Sequence, residues 1–91
     1  MTKANVLVVE DEFIVSKDIQ SSLKKLGYHV VGAAPSGEKA LELLEANQPD
    51  IVLMDLEMPE MTGLEVGEKM NKLGIKSKKI LLTLHKEIFI L

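Results

Sequence analysis

The chain has no cysteine, and its only aromatic residues are Phe13, Tyr28 and Phe89. Without thiols there are no disulfides, thiolate metal sites or cysteine nucleophiles. So few aromatic rings leave no platform on which nucleic-acid bases could stack. Positive charge is thin as well: eleven basic residues face fourteen acids, a net charge of −3. Lys24, Lys25, Lys76, Lys78 and Lys79 are too few and too scattered for a footprint on duplex DNA, so direct DNA binding is not expected. No apolar run approaches the ~20 residues of a membrane span. Met1-Thr2-Lys3 leads straight into a strand-like segment rather than a signal peptide, which makes a cytoplasmic location the default. What is present is the composition of a globular domain, 46% hydrophobic and 27% charged. A single domain over residues 1–91 is expected. Area scaling for its mass gives about 5,300 Å² of folded surface, so roughly 64% of the chain is buried around one thin core.

Apolar segments and helical periods alternate along the chain. Residues 4–10 hold a short continuous apolar run, the mark of a strand covered on both faces. Val15, Ile19, Leu23 and Leu26 fall at helical spacing within residues 12–26, and Gly27 stops that helix. Residues 29–34 read as a second strand. After the turn Pro35-Ser36-Gly37, Ser36 caps a helix to about Asn47, with Ala40, Leu41, Leu43 and Leu44 facing in. Gln48-Pro49 ends it. Residues 50–54 form a third strand that runs into Asp55. Thr62 caps a third helix to about Leu73 with Val66, Met70 and Leu73 inward, and Gly74 ends it. Residues 79–83 form a fourth strand. This alternation predicts βαβ units and a parallel sheet with right-handed crossovers.

Ligands of an open parallel sheet bind beyond the carboxyl ends of its strands. The first strand ends in Glu10-Asp11-Glu12, the third in Asp55 and the fourth in Thr83. If the first and third strands are neighbours, Glu10, Asp11 and Asp55 converge, and three carboxylates repel unless a cation holds them. Oxygen donors without histidine or cysteine select a hard ion, by default Mg²⁺. Carboxylate, Mg²⁺ and a nearby hydroxyl make a phosphoryl-transfer constellation in which Asp55 can hold the group as an acyl phosphate. Taken singly, Glu10 or Glu12 reads as a solvated or helix-capping acid, and Thr83 as a strand residue packing on its neighbour. Their order along the chain is what favours a site. His29 and His85 have no partner at metal-binding spacing. Met54, Met58, Met61 and Met70 suit core filling and a loop, and Lys76–Lys79 suits a solvated turn.

Val6-Leu-Val-Val-Glu-Asp-Glu12 resembles the opening of response-regulator receiver domains of two-component systems. Ile51-Val-Leu-Met-Asp-Leu-Glu-Met-Pro-Glu-Met-Thr-Gly-Leu-Glu65 is similar to that family's phosphoacceptor segment, and Ser36-Gly-Glu-Lys-Ala-Leu41 to the start of its second helix. The resemblance implies a phosphoacceptor rather than an enzyme, with at most self-phosphorylation and self-dephosphorylation chemistry. It makes Asp55 the phosphorylation site and Asp11 a direct Mg²⁺ ligand, with Glu10 acting through water. It also makes the backbone carbonyl of Glu57 a further ligand and Thr83 the switch hydroxyl. The phosphoryl group would come from a phosphohistidine on a sensor histidine kinase or a histidine phosphotransfer protein.

The chain departs from the family after the fourth strand. No residue matches the lysine of the family's fifth strand, Lys86 being misplaced for that role. The implied fold class is α/β: a doubly wound parallel sheet of flavodoxin-like receiver type, C-terminally truncated and lacking the fifth strand and last helix. An alternative use is a pseudo-receiver, the same fold serving protein contacts with impaired switching. Asp55-Leu-Glu57 also resembles the start of aspartate-nucleophile phosphohydrolases, but Met58-Pro59 stands where those enzymes want a threonine. With strand order 2-1-3-4-5, loss of strand five makes strand four an edge. The apolar tail Ile88-Phe89-Ile90-Leu91 then predicts a homodimer through that edge and tail; the other outcome is a tail folded back on its own sheet.

Overall fold

The computed structural model describes residues 3–56, 58 and 60–82, together with the backbone of 88–90. Four strands, β1 (Asn5–Val9), β2 (His29–Ala34), β3 (Ile51–Asp55) and β4 (Lys78–Leu82), alternate with α1 (Phe13–Lys25), α2 (Gly37–Ala46) and α3 (Gly63–Lys72). These four strands are parallel, in the order β2-β1-β3-β4. The doubly wound parallel sheet expected of the sequence is therefore what forms. β1 lies between β2 and β3, and its Val6, Val8 and Val9 are each no more than 1% exposed.

Helix ends follow from local chemistry. Ser36 Oγ accepts from the backbone N–H of Lys39 at 3.1 Å, capping α2. Thr62 and Glu65 form a reciprocal capping box at the start of α3. α1 and α3 end alike. Gly27 and Gly74 take φ of +93° and +74°. Their N–H groups donate to the carbonyls of Lys24 and Asn71, while those of Tyr28 and Ile75 reach back to the carbonyls of Leu23 and Met70. This paired closure favours glycine, which has no Cβ to strain at positive φ.

The core is one-sided. Leu7, Val9, Val52, Met54 and Leu81 of the sheet pack with Ala40 and Leu44 of α2 and with Val66 and Met70 of α3. Leu73, expected inside, is 54% exposed; it sits at the helix cap, and Ile75, just past the glycine turn, is buried instead. Met54, Met58 and Met70 fill core space as expected. Lys79 departs from the solvated turn expected of its cluster: it lies inside β4 and is 8% exposed. Strand alternation turns it to the helix-covered face, where an aliphatic stem can lie along apolar neighbours.

Among the described residues the opposite face carries only α1, which packs on β1 and β2. Of its residues only Ser16 is buried, while Val15 and Leu26 are 39% and 60% exposed. The helical spacing of these residues thus holds, but the apolar stripe is largely open.

Both sheet edges differ from plain parallel strands. The β1–β2 register skips Val31, an irregularity of the bulge type that guards many edges. At the other edge a short β5 (Ile88–Ile90) pairs antiparallel with β4, Leu82 opposite Ile88 and Ile80 opposite Ile90. The open β4 edge expected of the sequence is corrected by this pairing. No fifth parallel strand occurs among the described residues, and its position is held by the chain's own tail. A dimer through this edge would have to displace β5.

Gly63 begins α3 directly behind β3. A Cβ there would lie 2.9 Å from the Asp55 carbonyl oxygen and 3.0 Å from Leu81 Cδ2. Gly63→Ala should therefore cost about 1–3 kcal/mol through overpacking, read as a lowered urea midpoint at unchanged slope.

Candidate functional site

Strand register assembles the site. Val9 at the end of β1 pairs with Met54 of β3, so the next residues, Glu10 and Asp55, emerge side by side. Asp11 follows in the loop to α1. One carboxylate oxygen from each of Glu10, Asp11 and Asp55 lies within 4.8 Å of the others. The convergence expected from sequence is present in the geometry.

The surroundings hold these groups in place. The backbone N–H of Glu10 donates to the Ala34 carbonyl at 3.0 Å, extending the sheet past β1. On the far side, the N–H of Leu56 donates to the Leu82 carbonyl at 2.8 Å, and that of Gly63 to the Leu56 carbonyl at 3.1 Å. Asp55 is thus pinned at the strand end from both neighbouring elements. Glu12, at the N-cap of α1, makes no side-chain cap. Instead its N–H donates to Glu10 Oε1 at 3.1 Å.

The three acids are not equivalent. Glu10 is 5% exposed, Asp55 half-buried and Asp11 exposed. Burial pushes the Glu10 carboxyl up to about 7, against the lowering effect of the Glu12 N–H. The hydrogen bond to Asp11 and the charge and hydrogen bond of Asp55 push the same way as burial. A recess of about 210 Å³ adjoins Asp11, lined by Ser36, Gly37, Met58 and Met61 and rimmed by Glu38 and Glu60. An anion entering this acidic surround needs a cation to meet it. An all-oxygen set of three carboxylates fits a hard divalent ion such as Mg²⁺.

Sequence reasoning placed Glu10, Asp11 and Asp55, and it missed the second layer. Gly37 was read only as a turn residue, yet a Cβ there would meet Val66 Cγ2 at 2.6 Å and Met61 Sδ at 3.0 Å. Its bareness lets α2 approach α3 beside the recess. Glu57, expected to offer its carbonyl, and Thr83, expected as the switch hydroxyl, lie outside the described residues, as do His85 and Lys86. His29 is far from the acids in the sheet, its Nδ1 3.1 Å from Asn5 Oδ1.

The acids thus cluster at the carboxyl ends of the central strands, where open parallel α/β sheets bind their ligands. The model of the response regulator receiver domain matches residues 6–91, and the chain belongs to that family. It is 39% identical over 75 residues to the transcriptional regulatory protein PdtaR of Mycobacterium tuberculosis, covering 82% of this chain and 34% of that protein. It is 40% identical over 84 residues to the response regulator UvrY of Escherichia coli, covering 91% of this chain and 38% of that protein. The chain thus spans little more than a third of these relatives. Among solved structures it resembles the signal receiver domain of the response regulator NarL from Mycobacterium tuberculosis, with a TM-score of 0.86 and 31% identity over 96% of this chain and 71% of that one. It also resembles TrrA of Thermotoga maritima, solved in complex with Mg²⁺ and BeF, at a TM-score of 0.80 and 36% identity over 91% of this chain and 70% of that one. Among the described residues no helix is long and apolar enough to cross a membrane.

The raised Glu10 carboxyl has a consequence for stability. Between the ordinary 4.5 and about 7, the folded chain keeps a proton that the unfolded chain has lost. Stability should therefore fall as pH rises through that window. Urea midpoints measured in a chelator should decline from pH 4.5 to 7, the decline should flatten in Glu10→Gln, and a divalent cation should reverse it.

Proposed function

We propose that the domain accepts a phosphoryl group on Asp55 from a phosphohistidine of a sensor kinase or histidine phosphotransfer protein, with Mg²⁺ as the required ion. The observation that carries this reading is the approach of the Glu10, Asp11 and Asp55 carboxylates to within 4.8 Å at the carboxyl ends of β1 and β3. Membership of the receiver family and the likeness to TrrA, solved with Mg²⁺ and BeF, support it.

In this reading Asp11 and Asp55 hold the ion directly and Glu10 through water. When bound, the ion neutralises the acids and draws charge from the phosphoryl oxygens. Asp55 supplies the nucleophile. One of its carboxylate oxygens forms a bond to phosphorus while the phosphorus–nitrogen bond of the donor breaks, and the imidazole nitrogen leaves with the electron pair. The β3 end and the Leu56 N–H hold Asp55 still for in-line attack. The exposed approach from the Asp11 side admits the donor. The step is acceptance of a group, not turnover of a substrate.

Intact-mass measurement after treatment with acetyl phosphate tests this directly. One phosphoryl adduct should form in Mg²⁺ and vanish in chelator. Asp55→Asn should abolish it and Asp11→Ala should reduce it strongly. Persistence of the adduct in Asp55→Asn sinks the assignment.

A second reading, a pseudo-receiver with impaired switching, draws support from β5. Its sequence is Ile88-Phe89-Ile90, without the lysine of the family's fifth strand, and it runs antiparallel. If β5 keeps this place in the phosphorylated state, a charge-assisted hydrogen bond worth about 1.5–3 kcal/mol is not made from that strand. Phosphorylation should then couple weakly to Thr83. A Thr83→Ala protein should show the same small spectral change on phosphorylation as the wild type; a large change lost in Thr83→Ala counts against this reading.

A further inference from the structure

We propose that the hollow between α2 and the β2 edge binds a small, neutral, planar heterocycle with adjacent N–H and C=O groups. The hollow has a volume of about 470 Å³, within the range of small-molecule sites. It lies beneath the last turn of α2, at the strand ends opposite Glu10 and Asp55 and at the sheet edge opposite β4 and β5. It is thus separate from the acidic site.

Its floor comes from strand register. Leu7 of β1 pairs with Gly32 of β2, and alternation turns both positions to the face that α2 covers. Leu7 is buried in the core cluster. Leu43 and Ala46, three residues apart on α2, form the wall, and Pro49 closes the loop end.

Two departures from a plain strand meet here. Gly32 does not take a left-handed backbone, and a Cβ on it would meet only the end of one side chain, Leu7 Cδ1 at 3.3 Å. The fold therefore makes little demand for glycine at this position. A β-branched residue would strengthen the strand, but it would fill the hollow. Val31, the residue that the β1–β2 register skips, lines the same hollow. Bulges of this kind re-aim side chains and recur beside functional sites.

The rim selects the ligand's chemistry. Asn5, His29, Asn47 and Gln48 stand together at one end, and no Asp, Glu, Lys or Arg lines the hollow. A phosphate, carboxylate or ammonium group would meet no opposite charge there. Asn5 Oδ1 lies 3.1 Å from His29 Nδ1, so the neutral ring carries its proton on that nitrogen and offers Nε2 as an acceptor. Gln48 Oε1 accepts from the Lys76 backbone N–H at 3.3 Å, and the Gln48 amide nitrogen can donate. Asn5 is held in turn, its backbone N–H donating to Asp50 Oδ2 at 2.8 Å. Preset amide and imidazole groups beside an apolar floor match a flat ring with an amide-like edge.

Hypoxanthine, a neutral bicycle with a ring N–H beside a carbonyl, is the probe. Titrated into ¹⁵N-labelled protein, it should move the amide resonances of Leu7, Gly32, Leu43 and Ala46 saturably, with a dissociation constant below about 1 mM. Indole has a bicyclic frame without the carbonyl, and orotate adds a carboxylate to such an edge. Both should bind about tenfold more weakly or worse. Ala46→Leu, at an exposed helix position, narrows the hollow, and Asn47→Ala removes part of the rim. Each should weaken hypoxanthine about tenfold while leaving formation of the acetyl phosphate adduct unchanged. Absence of saturable shifts, indole or orotate binding as tightly as hypoxanthine, or full binding by Ala46→Leu overturns the proposal.

Discussion

The parallel pairing of β1 with β3 brings together two strands far apart in sequence, and the acids ride on that pairing. Val6 meets Ile51 and Val9 meets Met54, so the residues that follow have no choice of neighbour. Buried valines hold β1 inside the sheet, and burial makes the register strict, since a slip of one residue would turn its side chains to the other face. Apolar packing thereby forces like charges into contact. The cost appears in Glu10, whose carboxyl is pushed up to about 7 chiefly by its burial. A hard divalent cation held by the three carboxylates would offset that cost.

Around this pairing the two faces of the sheet are built unequally. One face has two helices, α2 let close to α3 by the bare Gly37 and α3 let close to β3 by the bare Gly63, and it holds the contiguous core. Among the described residues the other has α1 alone, with Ser16 its single buried residue. The contiguous core thus lies on the α2 and α3 face, and the α1 face leaves Val15 exposed.

Much of this was legible in the sequence because it is local. Continuous apolar runs named the four parallel strands, and Ser36, Thr62, Gly27 and Gly74 marked helix ends where the backbone demands those residues. The acids were legible because a strand end is a place that pattern can locate. Burial was less so. Spacing of Val15, Ile19, Leu23 and Leu26 proves a helix but not what lies against it, and the exposure of Val15 and Leu26 depends on the sheet's width. Leu73 and Ile75 exchange roles because a glycine turn decides which one points inward. The β5 pairing was least legible. Three apolar residues are a weak strand signal, and their partner is a matter of which edge stands open.

That short strand also bears on the order in which the sheet closes. Leu82 and Ile88 are six residues apart, whereas Val6 and Ile51 are separated by 45. Loop-closure entropy makes the longer connection costlier by about 1.8 kcal/mol before any contact rewards it. The β4–β5 corner therefore has the cheaper closure, though a two-stranded pair still needs the rest of the sheet to be stable. The acidic pocket exists only once the strands farthest apart in sequence have met, so it depends on the costlier of the two closures.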